Sequence, residues 1–459
     1  MKKGPPFALW TVALALRLLG SADAAPTRSD RLDWWRDARF GVIVHWGVYS
    51  VLGGEWNGTD YGKETGGPSA EWIFRRARID SNDYAAVARS WNPTDYDPDA
   101  WCAAIADAEA GYVVLTAKHH DGFALFDDGA ASRWDAVDAS AARRDLLAPF
   151  VAAARRHGLR VGLYYSHRID WMRRKTQSDV PEPAYERVLR AHVETLAKRY
   201  RPDLFWFDMG RKTTNAISSI AFECARKYAP DAVLAGRIGG GLGDYVCLGD
   251  RQLPPPGWEL DAETPMTMRL NWGYDRDDAD WKSTDTILRM LSLCACRGAN
   301  LLLNLGPDGA GRLCPEEYDR LREVGDWMRI NGEAIRRTDG SPFAGEYAWG
   351  SITLSRDRLR VYAHVLRPPA GGVVRLAGVD GRLLRVWRLA AGVPARVAKD
   401  SVPAAEWGGM TNGLGRPEIL RFEFSEPIRF RRQAGPSARP FATEFSSPKK
   451  DRNLRRKKG

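Results

Sequence analysis

The chain has 459 residues and a formal net charge of +10, a length that allows two or three domains and a large buried core. Much of this charge lies at the C-terminal end, where residues 439–459 hold eight Lys or Arg against two acidic residues. The rest of the chain is nearly neutral, which excludes a general nucleic-acid-binding surface. Residues 433–459 are predicted to form a basic, disordered tail.

The N-terminal residues are typical of a secretory signal peptide. Two lysines precede a short apolar run, and a small-x-small cleavage pattern ends at Ala24, so residues 1–24 are predicted to be removed. The alternative is an uncleaved anchor, but Arg17 interrupts the apolar run and leaves it too short to span a bilayer. We therefore expect a soluble protein that is secreted or resides in the periplasm or a lumen, with no transmembrane segment.

The six cysteines do not form a metal-binding pattern. Cys294 and Cys296 stand close together, but no second pair and no nearby histidine accompanies them, which argues against zinc. An oxidising compartment would allow one or two disulfides, although their pairing does not follow from the sequence. Asn57-Gly-Thr59 is a glycosylation acceptor pattern.

Strand-like and helix-like segments alternate along the first three quarters of the chain. Apolar strands are predicted at 40–47, 111–118, 159–166, 203–208, 232–237, 244–248, 266–272 and 299–307. Helices are predicted at 83–91, 99–109, 141–157, 185–200, 217–228, 284–296 and 315–330. The helix between the fifth and sixth strands is thus missing or very short. This order predicts an α/β fold, a (β/α)8 TIM-like barrel, over residues 25–340.

Two other stretches differ from the barrel pattern. Residues 52–70 lack apolar periodicity and are predicted to form a long loop. After about Gly345 the apolar residues alternate with period two between Gly, Pro and Asp, so residues 341–432 are predicted to form a small antiparallel β-sandwich. This second domain shows no catalytic constellation, and we expect it to support the barrel or to contact carbohydrate.

Two predicted strands end abruptly in ionisable residues. His119 and His120 follow the second strand, and Asp208 ends the fourth. Each stretch alone also fits a capped loop or helix, because Asp is a common N-cap. Active sites of (β/α)8 barrels lie at the carboxyl ends of the strands, and three more side chains are predicted there, namely His45, Arg237 and Trp272. Taken together, these residues favour an active site.

Tryptophans neighbour several of these residues, as Trp46, Trp72 and Trp206 do. Flat aromatic side chains bury the apolar face of a sugar ring, while polar groups fix the ring's hydroxyls. The sequence therefore suggests carbohydrate chemistry.

Several long, ordered segments carry a family resemblance. They are Arg39-Phe-Gly-Val-Ile-Val-His-Trp-Gly-Val-Tyr-Ser, Ala70-Glu-Trp, Thr116-Ala-Lys-His-His-Asp-Gly-Phe, Gly162-Leu-Tyr-Tyr-Ser, Phe205-Trp-Phe-Asp, Gly236-Arg, Gly243-Asp-Tyr, Trp272-Gly-Tyr and Asn300-Leu-Leu-Leu-Asn-Leu-Gly-Pro. In these segments the chain resembles the α-L-fucosidases of glycoside hydrolase family 29. The resemblance covers about residues 33–338, nearly the whole barrel.

The resemblance implies an exo-acting enzyme that removes terminal α-L-fucosyl residues from fucosylated oligosaccharides or glycoconjugates. Asp208 matches the family's nucleophile, which forms a glycosyl-enzyme in a retaining double displacement. Trp272 falls where the family often has an aromatic side chain against the fucose methyl group. The other residues implied to bind substrate are His45, Glu71, Trp72, His119, His120, Trp206 and Arg237. The family uses no metal, and no cofactor is expected.

The general acid/base is where the chain departs from the family. Relatives with the most similar motifs have a Glu four residues after the Tyr of Gly-Asp-Tyr, and this chain has Gly249 there. The neighbouring Asp250 is the first candidate for the acid/base. Glu263 is the second candidate and Glu259 the third.

The departure leaves two alternatives to a fully active fucosidase. One is a fucose-binding or catalytically impaired homologue that kept the pocket and lost the usual acid. The other is a metal-dependent hydrolase that uses His45, His119, His120 and Asp121, although adjacent histidines rarely ligate one ion together and no suitable carboxylate spacing accompanies them.

Overall fold

The computed structural model describes residues 27–62, 70–174, 177–211, 215–408, 415–431 and 435–436. The predicted signal peptide and almost all of the predicted basic tail lie outside these residues, so both stay predictions. Within the described part of the chain, every helix is too short or too polar to cross a membrane.

Eight parallel strands form the barrel. They are β1 (Phe40–Val44), β2 (Tyr112–Lys118), β3 (Arg160–Ser166), β4 (Leu204–Asp208), β5 (Val233–Leu234), β6 (Val246–Cys247), β7 (Ala262–Thr267) and β8 (Ala299–Leu305). Their order is β5-β4-β3-β2-β1-β8-β7-β6. Asp244 closes the ring between β5 and β6, because its N–H donates to the Leu234 carbonyl at 2.7 Å and its Oδ2 accepts from the Leu234 N–H at 2.8 Å. The predicted (β/α)8 barrel is confirmed.

In the described residues, eight helices of ten or more residues accompany the strands. They are α1 (Arg28–Ala38), α2 (Ser81–Ser90), α3 (Pro98–Asp107), α4 (Leu147–Arg156), α5 (Pro183–Thr195), α6 (Ala216–Tyr228), α7 (Thr284–Cys296) and α8 (Pro315–Asn331). Shorter α-helices span Tyr49–Leu52 and Ile73–Arg76, and a π turn, Leu196–Tyr200, extends α5. Short 3-10 turns span Ala70–Trp72, Gly236–Ile238, Gly332–Ala334 and Ala370–Gly372.

The barrel interior is filled by large side chains. Leu32 and Trp35 of α1 close the amino-terminal end of the barrel and pack with the interior residues Tyr112 and Trp206. Gly41 of β1 makes room for Tyr112, since a Cβ at this glycine would lie only 2.3 Å from the tyrosine ring. The interior is therefore a packed core, and only the carboxyl end of the barrel opens into the pocket described below.

Two predicted elements begin at different residues in the structure. Helix α4 begins at Leu147 rather than at residue 141, because Asp145 caps it by accepting from the N–H groups of Leu147 and Ala148 at 2.9 and 2.8 Å. Strand β7 begins at Ala262 rather than at 266. Pro265 is tolerated inside it because β6 pairs only with the first two residues of β7.

The second domain is built from antiparallel strands. One sheet contains β9 (Thr338–Asp339), β10 (Gly350–Ser355), β11 (Arg360–Val365), β12 (Leu383–Arg388), β13 (Val393–Ala395) and β14 (Glu418–Phe424), in the order β9-β10-β11-β14-β12-β13. Val373–Arg375 pairs with Ala404–Glu406, and Val379–Asp380 pairs with Arg429–Phe430. These strands enclose a separate apolar core. The predicted antiparallel β domain is confirmed, while its exact limits, 341–432, stay a prediction.

Two local features differ from the sequence expectations. All six cysteines lie in the described residues and all are free, so the structure contains none of the disulfides that an oxidising compartment would allow. Part of the predicted 52–70 loop is a hairpin of Glu55–Trp56 with Thr59–Asp60. Its turn residues Asn57 and Gly58 both have positive φ, the conformation that Asn-Gly favours in two-residue turns.

Candidate active site

A small pocket of about 130 Å³ lies at the carboxyl ends of the barrel strands. It is lined by His45, Glu71, Trp72, His119, His120, Trp206, Asp208, Met209, Arg237, Asp250 and Trp272. The structure thus brings together every residue that the sequence predicted for substrate binding, the predicted nucleophile and the first candidate for the acid/base. Their roles are not tested by this placement.

An irregularity in β2 precedes the two adjacent histidines. The register between β2 and β3 shifts between Thr116 and Lys118, and bulges of this kind re-aim side chains next to active sites. The rings of His119 and His120 lie 4.1 Å apart. Both histidines are buried, and both line the pocket.

Hydrogen bonds orient two of the three pocket histidines. Asn304 of β8 contacts His45 Nδ1 at 2.5 Å, and Ser166 of β3 contacts His120 Nδ1 at 2.6 Å. The buried Nδ1 of His119 has no hydrogen-bond partner among the described residues. These contacts leave ring nitrogens that a ligand hydroxyl could use.

Burial keeps all three imidazoles neutral at pH 7. It lowers the pKa of His45 to about 4 and that of His120 to about 3, and it lowers the pKa of His119 well below its ordinary value. A neutral imidazole can both donate and accept a hydrogen bond. The three rings are therefore suited to binding the hydroxyls of a sugar.

Three donors surround the Asp208 carboxylate. Tyr164 OH donates to Oδ2 at 2.7 Å, while the N–H of Met209 and Nε of Arg237 donate to Oδ1, each at 2.7 Å. Burial alone would raise the pKa of Asp208, but the charge of Arg237 and these hydrogen bonds outweigh burial and hold the pKa below its ordinary value. Asp208 is therefore ionised at pH 7. His120 Nε2 lies 3.6 Å from its Oδ2.

Arg237 joins two carboxylates of the pocket. Its Nε contacts Asp208, and its Nη1 contacts Asp250 Oδ1 at 2.5 Å. Arg237 lies in the 3-10 turn Gly236–Ile238 after the short strand β5, not at the end of a strand as predicted. The Asp250 side chain lines the pocket and is 48% exposed, so it lies at the pocket mouth.

Glu71 is held at the pocket by the loop that follows β7. The N–H of Gly273 donates to Glu71 Oε2 at 3.0 Å, and Asn271 Oδ1 accepts from the N–H of Ala70 at 2.9 Å. Glu71 is only 2% exposed, and burial raises its pKa to about 7. Near neutral pH this carboxyl can thus exist in both protonation states.

The raised pKa of Glu71 predicts a pH-dependent stability. The pKa of this carboxyl is near 4.5 in the unfolded chain and about 7 in the folded protein. Below pH 4.5 the group does not change the free energy of unfolding, and above pH 7 it lowers that free energy by about 3 kcal/mol. We therefore expect Glu71→Gln to raise the melting temperature relative to the parent protein, by an amount that grows from pH 4.5 to 7 and then levels off. Calorimetric scans of both proteins across this range measure it. A constant difference at every pH would contradict the expectation.

Glu263, the second candidate for the acid/base, lies outside the pocket. It is part of β7 and points into the barrel interior, where it accepts hydrogen bonds from Tyr112 OH at 2.6 Å, Trp206 Nε1 at 2.7 Å and Tyr245 OH at 2.8 Å. All of these contacts serve to orient core aromatics, Trp206 of the pocket among them. Glu259, the third candidate, is exposed and also lies outside the pocket. The structure therefore argues against both.

The geometry gives no support to the metal-dependent alternative. Asp121 is buried away from the pocket and accepts from Tyr84 OH at 2.8 Å and from the N–H of Phe123 at 3.2 Å. Across the described ranges, no cluster of three or more His, Cys, Asp or Glu side chains could hold a metal ion.

A larger cavity, about 640 Å³, lies at the opposite end of the barrel. It is bordered by α1 and by the segments before β4 and β5. Its charged side chains include the Arg160–Asp203 ion pair, at 2.7 Å. Because catalytic groups of barrel enzymes lie at the carboxyl ends of the strands, the smaller pocket is the candidate active site.

Three features of the candidate site were not predicted from the sequence. Tyr164 and Asn304 hold Asp208 and His45 from neighbouring strands, and Met209 lines the pocket with a positive φ of 67°. Tyr164 could have been found from its period-two spacing to Ser166 at the end of β3. The position of Met209 depends on Gly210, whose Cα lies so close to Ile238 that a Cβ there would be 2.0 Å from the Ile238 carbonyl oxygen.

An ionised buried carboxylate, neutral histidines and tryptophans at the open end of a (β/α)8 barrel define a carbohydrate-active enzyme of the glycoside hydrolase class. Comparison with known proteins leads to the same class and to one family within it.

The family model described as alpha-L-fucosidase matches residues 21–333. Tissue alpha-L-fucosidase of Bos taurus is 31% identical over 365 residues, 75% of this chain and 76% of the relative. The alpha-L-fucosidase from Vibrio sp. strain EJY3 has a TM-score of 0.78 at 28% identity, over 87% of this chain and 74% of that one. A family 29 alpha-L-fucosidase from Bacteroides thetaiotaomicron, trapped as a covalent intermediate, has a TM-score of 0.76 at 25% identity, over 89% and 98%. The chain belongs to the α-L-fucosidase family, glycoside hydrolase family 29.

Proposed function

We propose that the protein is an exo-acting α-L-fucosidase that hydrolyses terminal α-L-fucosyl residues of glycans with retention of configuration. Asp208 attacks the anomeric carbon and forms a fucosyl-enzyme. Asp250 protonates the departing oxygen and then takes a proton from the water that hydrolyses the intermediate. The observation that carries this proposal is the pair of carboxylates bridged by Arg237 at one pocket, the inner one buried and ionised and the outer one half exposed.

The pocket supports a single terminal sugar as the ligand. Its volume is small, about 130 Å³, and its inner wall is formed by His45, His119 and His120, whose neutral rings suit hydroxyl groups. Trp272, whose ring lies 5.3 Å from that of His45, offers an apolar face for the fucose methyl group. We further propose that the protein is exported, as the N-terminal apolar run suggests.

Retention is supported by the relative from Bacteroides thetaiotaomicron, which was trapped as a covalent intermediate with 2-fluoro-fucosyl fluoride. The test is to follow hydrolysis of an aryl α-L-fucoside by proton NMR and to identify the anomer of fucose formed first. We expect α-L-fucose to appear before mutarotation produces the β-anomer. Initial release of β-L-fucose would rule out the double displacement, and release of no fucose at high enzyme concentration would rule out the activity.

A further inference from the structure

Asp250 lies on a loop that joins β6 to β7, residues 248–261, called here the Asp250 loop. Close to Asp250 the barrel itself holds this loop. The N–H of Arg251 donates to the Pro265 carbonyl at 3.0 Å, and the Thr264 hydroxyl donates to the Gln252 carbonyl at 3.1 Å. Three consecutive prolines, 254–256, then restrict the backbone. Only Leu253 separates the anchored residues from the first of these prolines, so Asp250, the two anchors and the prolines form one short, restricted stretch of backbone.

A buried ion pair holds the loop at its prolines. Arg297, the residue after α7, donates from Nη2 and Nε to Glu346 Oε1 at 2.8 and 3.1 Å, and both side chains are only 1% exposed. Arg297 Nη1 donates to the Pro254 carbonyl at 3.0 Å. One rigid guanidinium thus connects the Asp250 loop to the segment that enters the second domain.

Two further contacts tie the same loop to the second domain. Gly257 has φ +73°, and a Cβ there would lie 2.9 Å from Ala344 Cα. Leu253 packs against Leu293 of α7 and Leu366, which follows β11 of the second domain. Leu253 and Gly257 of the loop therefore contact the second domain, whereas Arg251 and Gln252, next to Asp250, are hydrogen-bonded to β7.

We propose that the Arg297–Glu346 pair positions Asp250, so that the second domain contributes to proton transfer at the pocket. This inference rests on the proposed function, in which Asp250 is the acid/base. Arg297 and Glu346 line no part of the pocket, so both are positioning residues. Displacement of a reacting group by about 1 Å can cost on the order of 10²-fold in rate, and the loss falls only on steps that need Asp250.

The test compares two substrates with different leaving groups. A nitrophenyl α-L-fucoside releases a stable phenolate with little protonation, whereas an alkyl α-L-fucoside needs the acid. In Arg297→Lys, whose single ammonium cannot bond to Glu346 and the Pro254 carbonyl in the same planar geometry, we expect kcat/KM to fall roughly 10-fold to 100-fold more for the alkyl substrate than for the nitrophenyl one. The ratio of the two values does not depend on how much of the variant is folded.

Two more variants test this explanation, one that disturbs the Asp250 loop at a different contact and one that serves as a control. Gly257→Ala pushes the Asp250 loop away from Ala344 without touching the ion pair, and we expect the same selective loss. Glu333→Gln is the matched control, because Glu333 joins the domains through Arg421 at 2.7 Å and lies outside the Asp250 loop. The leaving-group ratio of this control should equal that of the parent protein.

The outcomes separate the inference from the proposed function. A selective loss in Arg297→Lys and Gly257→Ala, with the control unchanged, supports positioning by the second domain. If Asp250→Ala is selective but both of these variants keep the parent ratio, the positioning role is wrong while Asp250 remains the acid/base. If Asp250→Ala itself loses activity equally on both substrates, Asp250 is not the acid/base and the inference fails with that role, whereas the fucosidase activity is refuted only if no fucose is released.

Discussion

Replacement of Asp208 by alanine is expected to reduce kcat/KM for an aryl α-L-fucoside on the order of 10⁴-fold or more. The physical reason is that three donors, from Tyr164, Met209 and Arg237, hold this carboxylate ionised and fixed. The two other carboxyl groups that line the pocket have partners of their own, since Glu71 accepts from the Gly273 N–H and Asp250 from Arg237. The steady-state rate with a nitrophenyl fucoside measures the loss.

Rescue by azide tests whether Asp208 acts as the nucleophile rather than in another role. In Asp208→Ala a small anion can enter the space of the lost carboxylate and attack the anomeric carbon from the same side, so we expect azide to restore turnover and to give β-L-fucosyl azide. Asp231→Ala, an exposed carboxylate at the far end of the barrel, is the matched control and should behave as the parent protein. Asp208→Ala that keeps more than about a tenth of the parent kcat/KM would contradict the assignment.

The sequence revealed the site where chemistry follows strand periodicity. His119, His120 and Asp208 could be placed together because parallel strands bring their carboxyl ends to one edge, and a buried strand that stops at an ionisable residue marks that edge. Arg237 was predicted to lie in the pocket, and it does, but it was predicted at the end of a strand and lies in a turn. Its strand ends at Leu234, and the 3-10 turn Gly236–Ile238 that follows carries the arginine.

The part that the sequence could not give depends on contacts between distant residues. Glu263 was the second candidate for the acid/base and precedes the predicted seventh strand, yet the distant residues Tyr112, Trp206 and Tyr245 supply three hydrogen bonds to it inside the barrel. Nothing local to Glu263 indicates those partners. The spacing of apolar residues likewise predicted neither the π turn after α5 nor the register shift between β2 and β3.

Loss of the Asp250 carboxylate is expected to affect substrates in proportion to their need for a proton. For Asp250→Ala we predict that kcat/KM falls by about 10² to 10⁴-fold for an alkyl or disaccharide α-L-fucoside and far less for a nitrophenyl fucoside. Asp250 is 48% exposed at the pocket mouth, and we expect the leaving group of a bound fucoside to lie on that side. Kinetics with a series of aryl fucosides of graded leaving-group acidity measure the effect.

Azide also tests the acid/base role of Asp250, and the fucosyl azide expected from Asp250→Ala has the opposite anomeric configuration to that expected from Asp208→Ala. In Asp250→Ala the fucosyl-enzyme on Asp208 still forms from an activated substrate but lacks a base for water. Azide needs no base, and it attacks the intermediate from the face opposite Asp208, so the product is α-L-fucosyl azide.

Glu71 is the competing candidate for the acid, because burial raises its pKa to about 7, a value suited to proton donation near neutral pH. If Glu71→Gln shows the steep leaving-group dependence and Asp250→Ala does not, the acid/base is Glu71, and Asp250 serves only to anchor Arg237.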